Sequence, residues 1–113
     1  MTGVKEQHFP TRRELSLIAV LHALSDPVRL EIVRQLDEAG KKACGKFGFD
    51  SPKSSLSHHF RILRESGVIA SQGQGTVLMN RLRRDDLEAR FPGLLRSILA
   101  STTKLHTVRK RRT

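Results

Sequence analysis

The stretch Ser51-Pro52-Lys53-Ser54-Ser55-Leu56-Ser57-His58-His59-Phe60-Arg61-Ile62-Leu63-Arg64-Glu65-Ser66-Gly67 constrains the chain more than any other. It opens on a capping serine followed by proline, which fits the first helical turn because no backbone donor is needed there. It closes on glycine, the residue that most readily takes the left-handed end of a helix. The expected helix therefore runs from about Pro52 to Ser66. At about 100° per residue, Leu56, Phe60 and Leu63 share one side, with His59 at its edge. Ser54, Ser57, His58 and Arg61 occupy the far side, Arg64 flanks them, and Lys53 and Ser55 fall near the start. Such a helix has one face for a core and another for a partner.

The surrounding segments supply what that helix packs against. Residues 1–10 are polar and end at Pro10, so they read as a flexible arm before a domain of residues 11–108. A helix is expected from near Thr11 to Leu24, with Leu17, Val20, Leu21 and Leu24 on one face and Leu15, Ile18, Ala19 and His22 on much of the other. Apolar residues on two sides call for two packing partners: the domain's own core and a second subunit. Ser25-Asp26-Pro27 then stops one helix and starts the next, Asp26 capping and Pro27 in the first turn. That helix buries Val28, Ile32, Val33 and Leu36 and ends at Ala39-Gly40.

A short element from about Lys41 to Gly48 holds Cys44 and Phe47, and Gly45 and Gly48 limit it to one or two helical turns. Beyond Gly67 the pattern changes to strand: Val68-Ile69-Ala70 and Thr76 to Leu82 flank a turn at Gln72-Gly73-Gln74-Gly75. Asp85 or Asp86 caps a further short helix, with Glu88 completing a capping box if the cap is Asp85. Pro92-Gly93 breaks it. A last helix from about Leu94 to Val108 carries Leu94, Leu95, Ile98, Leu99, Thr102 and Leu105 on one broad face and is expected to pack on a partner. Arg109-Lys110-Arg111-Arg112 opens a basic tail, residues 109–113.

Helix, helix, short helix, helix and a two-stranded β-hairpin, in that order, make a mainly α winged helix-turn-helix domain. One domain is what 113 residues accommodate, and with aromatics at 4% and neither Trp nor Tyr, aliphatic side chains must fill its core. Twenty-one Lys and Arg against 11 acids leave a formal charge of +10, which points to a polyanionic partner. Small hydroxyls on the far face of the 52–66 helix permit close approach to a major groove, and His and Arg donate to base edges. Ser54, Ser55, Ser57, His58, Arg61, Arg64 and Lys53, with Gln72 and Gln74 of the hairpin, are the expected DNA contacts. Arg81, Arg83 and Arg84 meet either phosphate or solvent, and solvent is preferred for the last two. No apolar run approaches the roughly 20 residues that span a bilayer, and the N-terminus lacks a signal-peptide core, so a cytoplasmic protein without a membrane partner is expected.

The segments Leu24-Ser25-Asp26-Pro27-Val28-Arg29-Leu30 and Ser54-Ser55-Leu56-Ser57-His58-His59-Phe60-Arg61-Ile62-Leu63-Arg64-Glu65-Ser66-Gly67-Val68-Ile69 resemble the ArsR/SmtB family of bacterial repressors. The resemblance spans about Leu15 to Leu105. It implies a homodimer joined through the first and last helices, bound to an imperfect palindrome of double-stranded DNA upstream of a promoter. It also makes the hairpin a wing along the minor groove. This wing's neutral glutamines suit hydrogen bonds better than ion pairs.

Metal sensing, which many members of that family perform, does not follow from these residues. Cys44 stands where the second cysteine of the family's Cys-x-Cys pair would fall, but Lys42 occupies the place of the first. The last helix offers only His106, and His58 and His59 diverge on their helix, so neither a metal nor another cofactor is expected. Cys44 has two readings: a small packing residue, which is preferred, or a redox-active thiol favoured by Lys41, Lys42 and Lys46 that would make a thiol-responsive repressor. No nucleophile, base and orienting group converge, so an enzyme is not expected. An RNA- or ribosome-binding protein is a further alternative that the charge allows, although the five Phe are few for stacking on unpaired bases.

Overall fold

The computed structural model describes residues 9–111, and their side chains as far as Thr102. Arm residues 1–8, tail residues 112 and 113, and the side chains of Leu105, His106 and the basic run lie outside that range.

Five α-helices and three strands follow in the order α1 (Leu17–Ala23), α2 (Pro27–Ala39), β1 (Lys41–Ala43), α3 (Lys53–Ser66), β2 (Ile69–Gln74), β3 (Val77–Leu82), α4 (Arg84–Arg90) and α5 (Leu94–Arg111). The first expected helix is broken. Arg12–Glu14 form a single 3-10 turn closed by a Thr11/Glu14 capping box, the chain extends at Leu15, and Ser16 caps α1 through Ala19 N. The break turns Leu15 inward, where it is buried with Val20, Ala23 and Leu24, and leaves Leu17, Ile18 and Leu21 exposed. The expected single apolar face of Leu17, Val20, Leu21 and Leu24 is thus split between core and surface.

Asp26 caps α2 as its sequence demands, accepting from Val28 N at 2.8 Å and Arg29 N at 3.1 Å. Gly40, at φ 84°, ends it. Ile32, Val33 and Leu36 are the buried side of α2, each worth about 1.5–3 kcal/mol in transfer from water.

The sheet has three strands, not two, in the order β1-β3-β2 and antiparallel throughout. The segment expected to be one or two helical turns is split into β1 and a 3-10 turn at Cys44–Lys46. Pairing with β3 accounts for the strand: Lys41 lies opposite Arg81, Lys42 opposite Asn80 and Ala43 opposite Met79. The wing is also longer than its glycines suggest. Gln72, Gly73 and Gln74 stay in β2, and Gln74 pairs with Val77. The tip is Gly75-Thr76, with φ 64° at Gly75 and a negative φ at Thr76, the pattern of a type II′ hairpin turn.

Neither Asp85 nor Asp86 caps α4, whose N-cap is Arg83; both acids lie in the first turn, and Glu88 accepts from Gly93 N instead of closing a capping box. Arg83 is not in solvent. It is buried, donates to Pro10 O at 2.6 Å and pairs with Asp86 at 2.9 Å, while Arg84 pairs with Asp37 at 2.6 Å. Helix α5 packs on α2 and α4 within the chain, burying Leu95 and Thr102, so its apolar face serves the chain's own core. It continues to Arg111, past the expected end at Val108.

Candidate nucleic-acid interface

Helix α3 is held at its C-terminal end and along one side. Pro52 is its N-cap, one residue later than the expected Ser51, and no side chain caps it. At the other end Gly67 takes φ 86°, its N–H reaching Arg64 O and that of Val68 reaching Leu63 O, both at 3.0 Å. This double closure is a Schellman motif. Phe60 and Leu63 are buried and Leu56 half-buried, as the periodicity requires. Phe47 meets Phe60 edge-on with ring centroids 5.3 Å apart, so the segment after β1 wedges against the base of α3.

The opposite face is open. Lys53, Ser54, Ser55, Ser57, His58 and Arg61 are all exposed, and Arg64 is half-buried at the flank. Lys53, Ser57 and Arg64 also border a pocket of about 380 Å³ floored by Leu56, Phe60 and Leu78 and reached by Cys44. Glu65, the face's single acid, is exposed at the far end. Gln72 and Gln74 are not at the wing tip. They project from the outer face of β2, opposite Met79 and Val77, and line a second pocket away from α3.

His59 turns the other way, into the protein. Its Nδ1 accepts from Arg29 Nη1 at 3.0 Å and lies 3.9 Å from Asp26 Oδ2. Burial pushes its pKa below the usual imidazole range; Arg29 and His58 add to that, and Asp26 opposes it. Arg29 is buried at 7% exposure and also donates to Ala23 O at 2.6 Å and His22 O at 3.3 Å. One guanidinium thereby ties the end of α1, the start of α2 and the middle of α3 together. Sequence reasoning did not single out Arg29, although its place in Asp26-Pro27-Val28-Arg29, one turn from a capped helix start, was the available signal.

Of the cations near Cys44 in sequence, Lys42 is engaged elsewhere. Lys42 Nζ donates to Gln35 Oε1 at 2.8 Å and lies over the Phe47 ring, and Lys41 belongs to the other face of the sheet. The thiol itself, half-buried, accepts from Asn80 Nδ2 at 3.3 Å. Among the described residues, no three or more His, Cys, Asp or Glu side chains come together, and no helix is long and apolar enough to cross a membrane.

Residues 24–72, from the end of α1 through α3 into the wing, match a family of helix-turn-helix domains. Over 82 residues the chain is 35% identical to an uncharacterized HTH-type transcriptional regulator, YceK, of Bacillus subtilis, covering 70% of this chain and 82% of that one. Its fold is shared with the crystal structure of an ArsR family transcriptional regulator, at TM-score 0.59 and 25% identity over 80% of this chain and 90% of the other. The chain belongs to the ArsR family of helix-turn-helix transcriptional regulators. The transcriptional repressor BigR from Xylella fastidiosa is similar too, at TM-score 0.57 and 26% identity, over 81% of this chain and 84% of BigR. As a DNA-binding regulator of the ArsR type, the protein uses a scaffold whose sheet carries the wing and whose Leu56, Phe60 and Leu63 anchor α3.

Proposed function

We propose that the protein is a homodimeric, sequence-specific repressor in which α3 enters the major groove of an imperfect palindrome. The observation that carries this reading is the division of α3. Ser54, Ser57, His58 and Arg61 are presented to solvent on a helix fixed by a buried stripe and a closed C-terminus. Arg61 can donate to a guanine edge, Ser57 allows the helix to approach, and the uncapped N-terminus beside Lys53 suits a phosphate. Ser55 and Arg64 flank the groove walls. The exposed apolar side of α1 supports dimerisation, and in a two-fold dimer the two α3 helices would read half-sites about 34 Å apart. Repression is favoured by the likeness to a protein described as a repressor. The wing follows the minor groove, with Gly75-Thr76 at its tip and Gln72 and Gln74 along its strand. The basic run from Arg109 to Arg112 adds phosphate contacts that carry no sequence information.

Fluorescence anisotropy with DNA from upstream of the protein's own gene, set against random duplex at moderate salt, tests this directly. A specific site is expected to bind at least about 10³-fold more tightly than random duplex. Ser57→Ala and Arg61→Ala should each lose about 1–3 kcal/mol on the specific site and relax base preference. Equal affinity for both duplexes overturns the proposal. The thiol-responsive reading gains no support from the surroundings of Cys44, whose neighbouring Lys42 is committed to Gln35.

A further inference from the structure

The outer face of the sheet carries an electrostatic arrangement that DNA reading does not use. Lys41 of β1 and Arg81 of β3 are direct cross-strand partners, and both are exposed. Like charges placed opposite each other on one sheet face repel, and a chain gains nothing for its own stability from the pairing. The guanidiniums nearby are matched: Arg12 and Arg83 share Asp86, and Arg84 holds Asp37. Among the described residues, no hydrogen bond or ion pair engages the side chain of Lys41 or Arg81.

These two cations stand at the rim of a pocket of about 430 Å³. Its floor is the outward side of the wing strands, where Ala70, Gln72 and Met79 alternate with inward-facing residues, and its wall is the chain entering the domain at Phe9 and Pro10. The acid in the lining, Asp86, is already neutralised by two guanidiniums. The cavity is therefore net positive, lined by the apolar Phe9, Pro10, Ala70 and Met79, and supplied with side-chain amide donors. It falls within the range of small-molecule sites, about 300–1,000 Å³. Arg81 also lies five residues along β3 from the wing tip at Thr76, about 17 Å at the strand rise, which separates it from the part of the wing closest to DNA.

We infer that this pocket, between Phe9-Pro10 and the outer face of the wing strands, binds a small organic monocarboxylate with a flat apolar body. The carboxylate meets Lys41 and Arg81, with Gln72 donating a further hydrogen bond, and the apolar body enters between Pro10 and Met79. Benzoate binding is measured without DNA, so its failure would leave the DNA reading standing.

The test is a backbone-amide NMR titration of the full chain with benzoate, neutral benzamide and acetate. Benzoate is expected to give saturable shifts centred on Ala70, Gln72 and Met79, and to bind about tenfold or more tightly than either benzamide, which lacks the charge, or acetate, which lacks the body. Lys41→Gln and Arg81→Gln should each weaken benzoate about tenfold while leaving the thermal midpoint unchanged or higher, since either relieves the repulsion. A structural role for the pair would lower the midpoint instead and overturn the inference. So would benzoate shifts that do not saturate at millimolar concentration, equal binding of benzoate and benzamide, or binding that survives both substitutions. A loss of affinity for random duplex in Lys41→Gln and Arg81→Gln, with benzoate binding intact, would assign the cations to DNA phosphate and equally overturn it.

Discussion

Arg29 of α2 donates a 3.0 Å hydrogen bond to Nδ1 of His59 on α3, and this bond exists only while the imidazole is neutral. Protonation would place a cation against a buried guanidinium. Burial, with Arg29 and His58 in support, holds the His59 pKa below its ordinary 6.5 in the folded protein. Above that ordinary value both folded and unfolded chains carry a neutral ring, and the packing of α3 is at full strength. As pH falls through 6.5 the unfolded chain takes up the proton first, so stability declines toward the lower native pKa. The thermal midpoint should therefore drop as pH falls through the ordinary 6.5 toward the lower native value. His59→Gln keeps an acceptor but does not titrate, and should flatten that part of the curve; an unchanged slope would place the pH dependence elsewhere.

Arg83 and Asp86 make the corresponding joint at the other end of the domain. Asp86 takes Arg12 on one oxygen at 2.8 Å and Arg83 on the other at 2.9 Å, and Arg83 continues to Pro10 O. The hydrogen bond from Arg12, then that from Arg83, holds the Asp86 carboxyl below its ordinary 3.8 against the opposing effect of burial. A depressed carboxylate contributes stability that is present above 3.8 and lost as pH falls through the native value. Asp86→Asn should cost about 2 kcal/mol at neutral pH by leaving a buried guanidinium short of its partner. It should also remove part of the acid limb in a urea-unfolding series. Equal stability of variant and parent across that series would show the joint to be unimportant.

Gly67 is the residue on which α3, the N-terminal segment and the start of the wing converge. At φ 86° a side chain is strained, and a Cβ there would collide with Leu15 Cδ2 and lie 3.0 Å from Pro10 Cγ. Left-handed strain of about 1–2 kcal/mol adds to an overpacking cost of about 1–3 kcal/mol, so Gly67→Ala should destabilise by about 2–5 kcal/mol in chemical denaturation. A loss below about 1 kcal/mol would mean that Leu15 and Pro10 yield easily.

That convergence separates what was legible in the sequence from what was not. Periodicity gave the Leu56, Phe60 and Leu63 stripe, and the Asp26-Pro27 and Gly67 signals gave helix ends, because caps and faces are local properties of a few neighbouring residues. Strand β1 is not local. Lys41–Ala43 is too short to show alternation and exists because β3, almost 40 residues later, offers an edge. Arg83 was read as solvated because arginine is rarely buried unless paired, and one of its two partners, Pro10 O, is 73 residues away. The break at Leu15-Ser16 had a local signal, a serine able to cap α1, but a continuous run of apolar residues masked it. The candidate DNA face was legible for the same local reason as the stripe. The direction of Gln72 and Gln74 was not, since it depends on where the hairpin turns.

The apolar side of α1 bears on assembly. Ile18 is 74% exposed, with Leu17 at 44% and Leu21 at 41% on the same short helix. Scattered surface aliphatics are ordinary, but three within one helical turn make a contiguous patch of the kind that marks an interface. Ile18 makes no contribution to the subunit core, so Ile18→Asp should leave the fold intact, and a circular dichroism melt should show a change within about 0.5 kcal/mol for the isolated subunit. Across a two-fold interface the same change would set a carboxylate against apolar surface on both subunits and cost several kcal/mol. Sedimentation equilibrium should therefore find Ile18→Asp monomeric at concentrations where the parent is dimeric. Binding to a palindromic site should fall to the level of a half-site, while binding to random duplex, governed by charge, changes little. If the variant keeps the parent's mass and site affinity, α1 is not a subunit interface, and its exposed leucines and isoleucine need a different explanation.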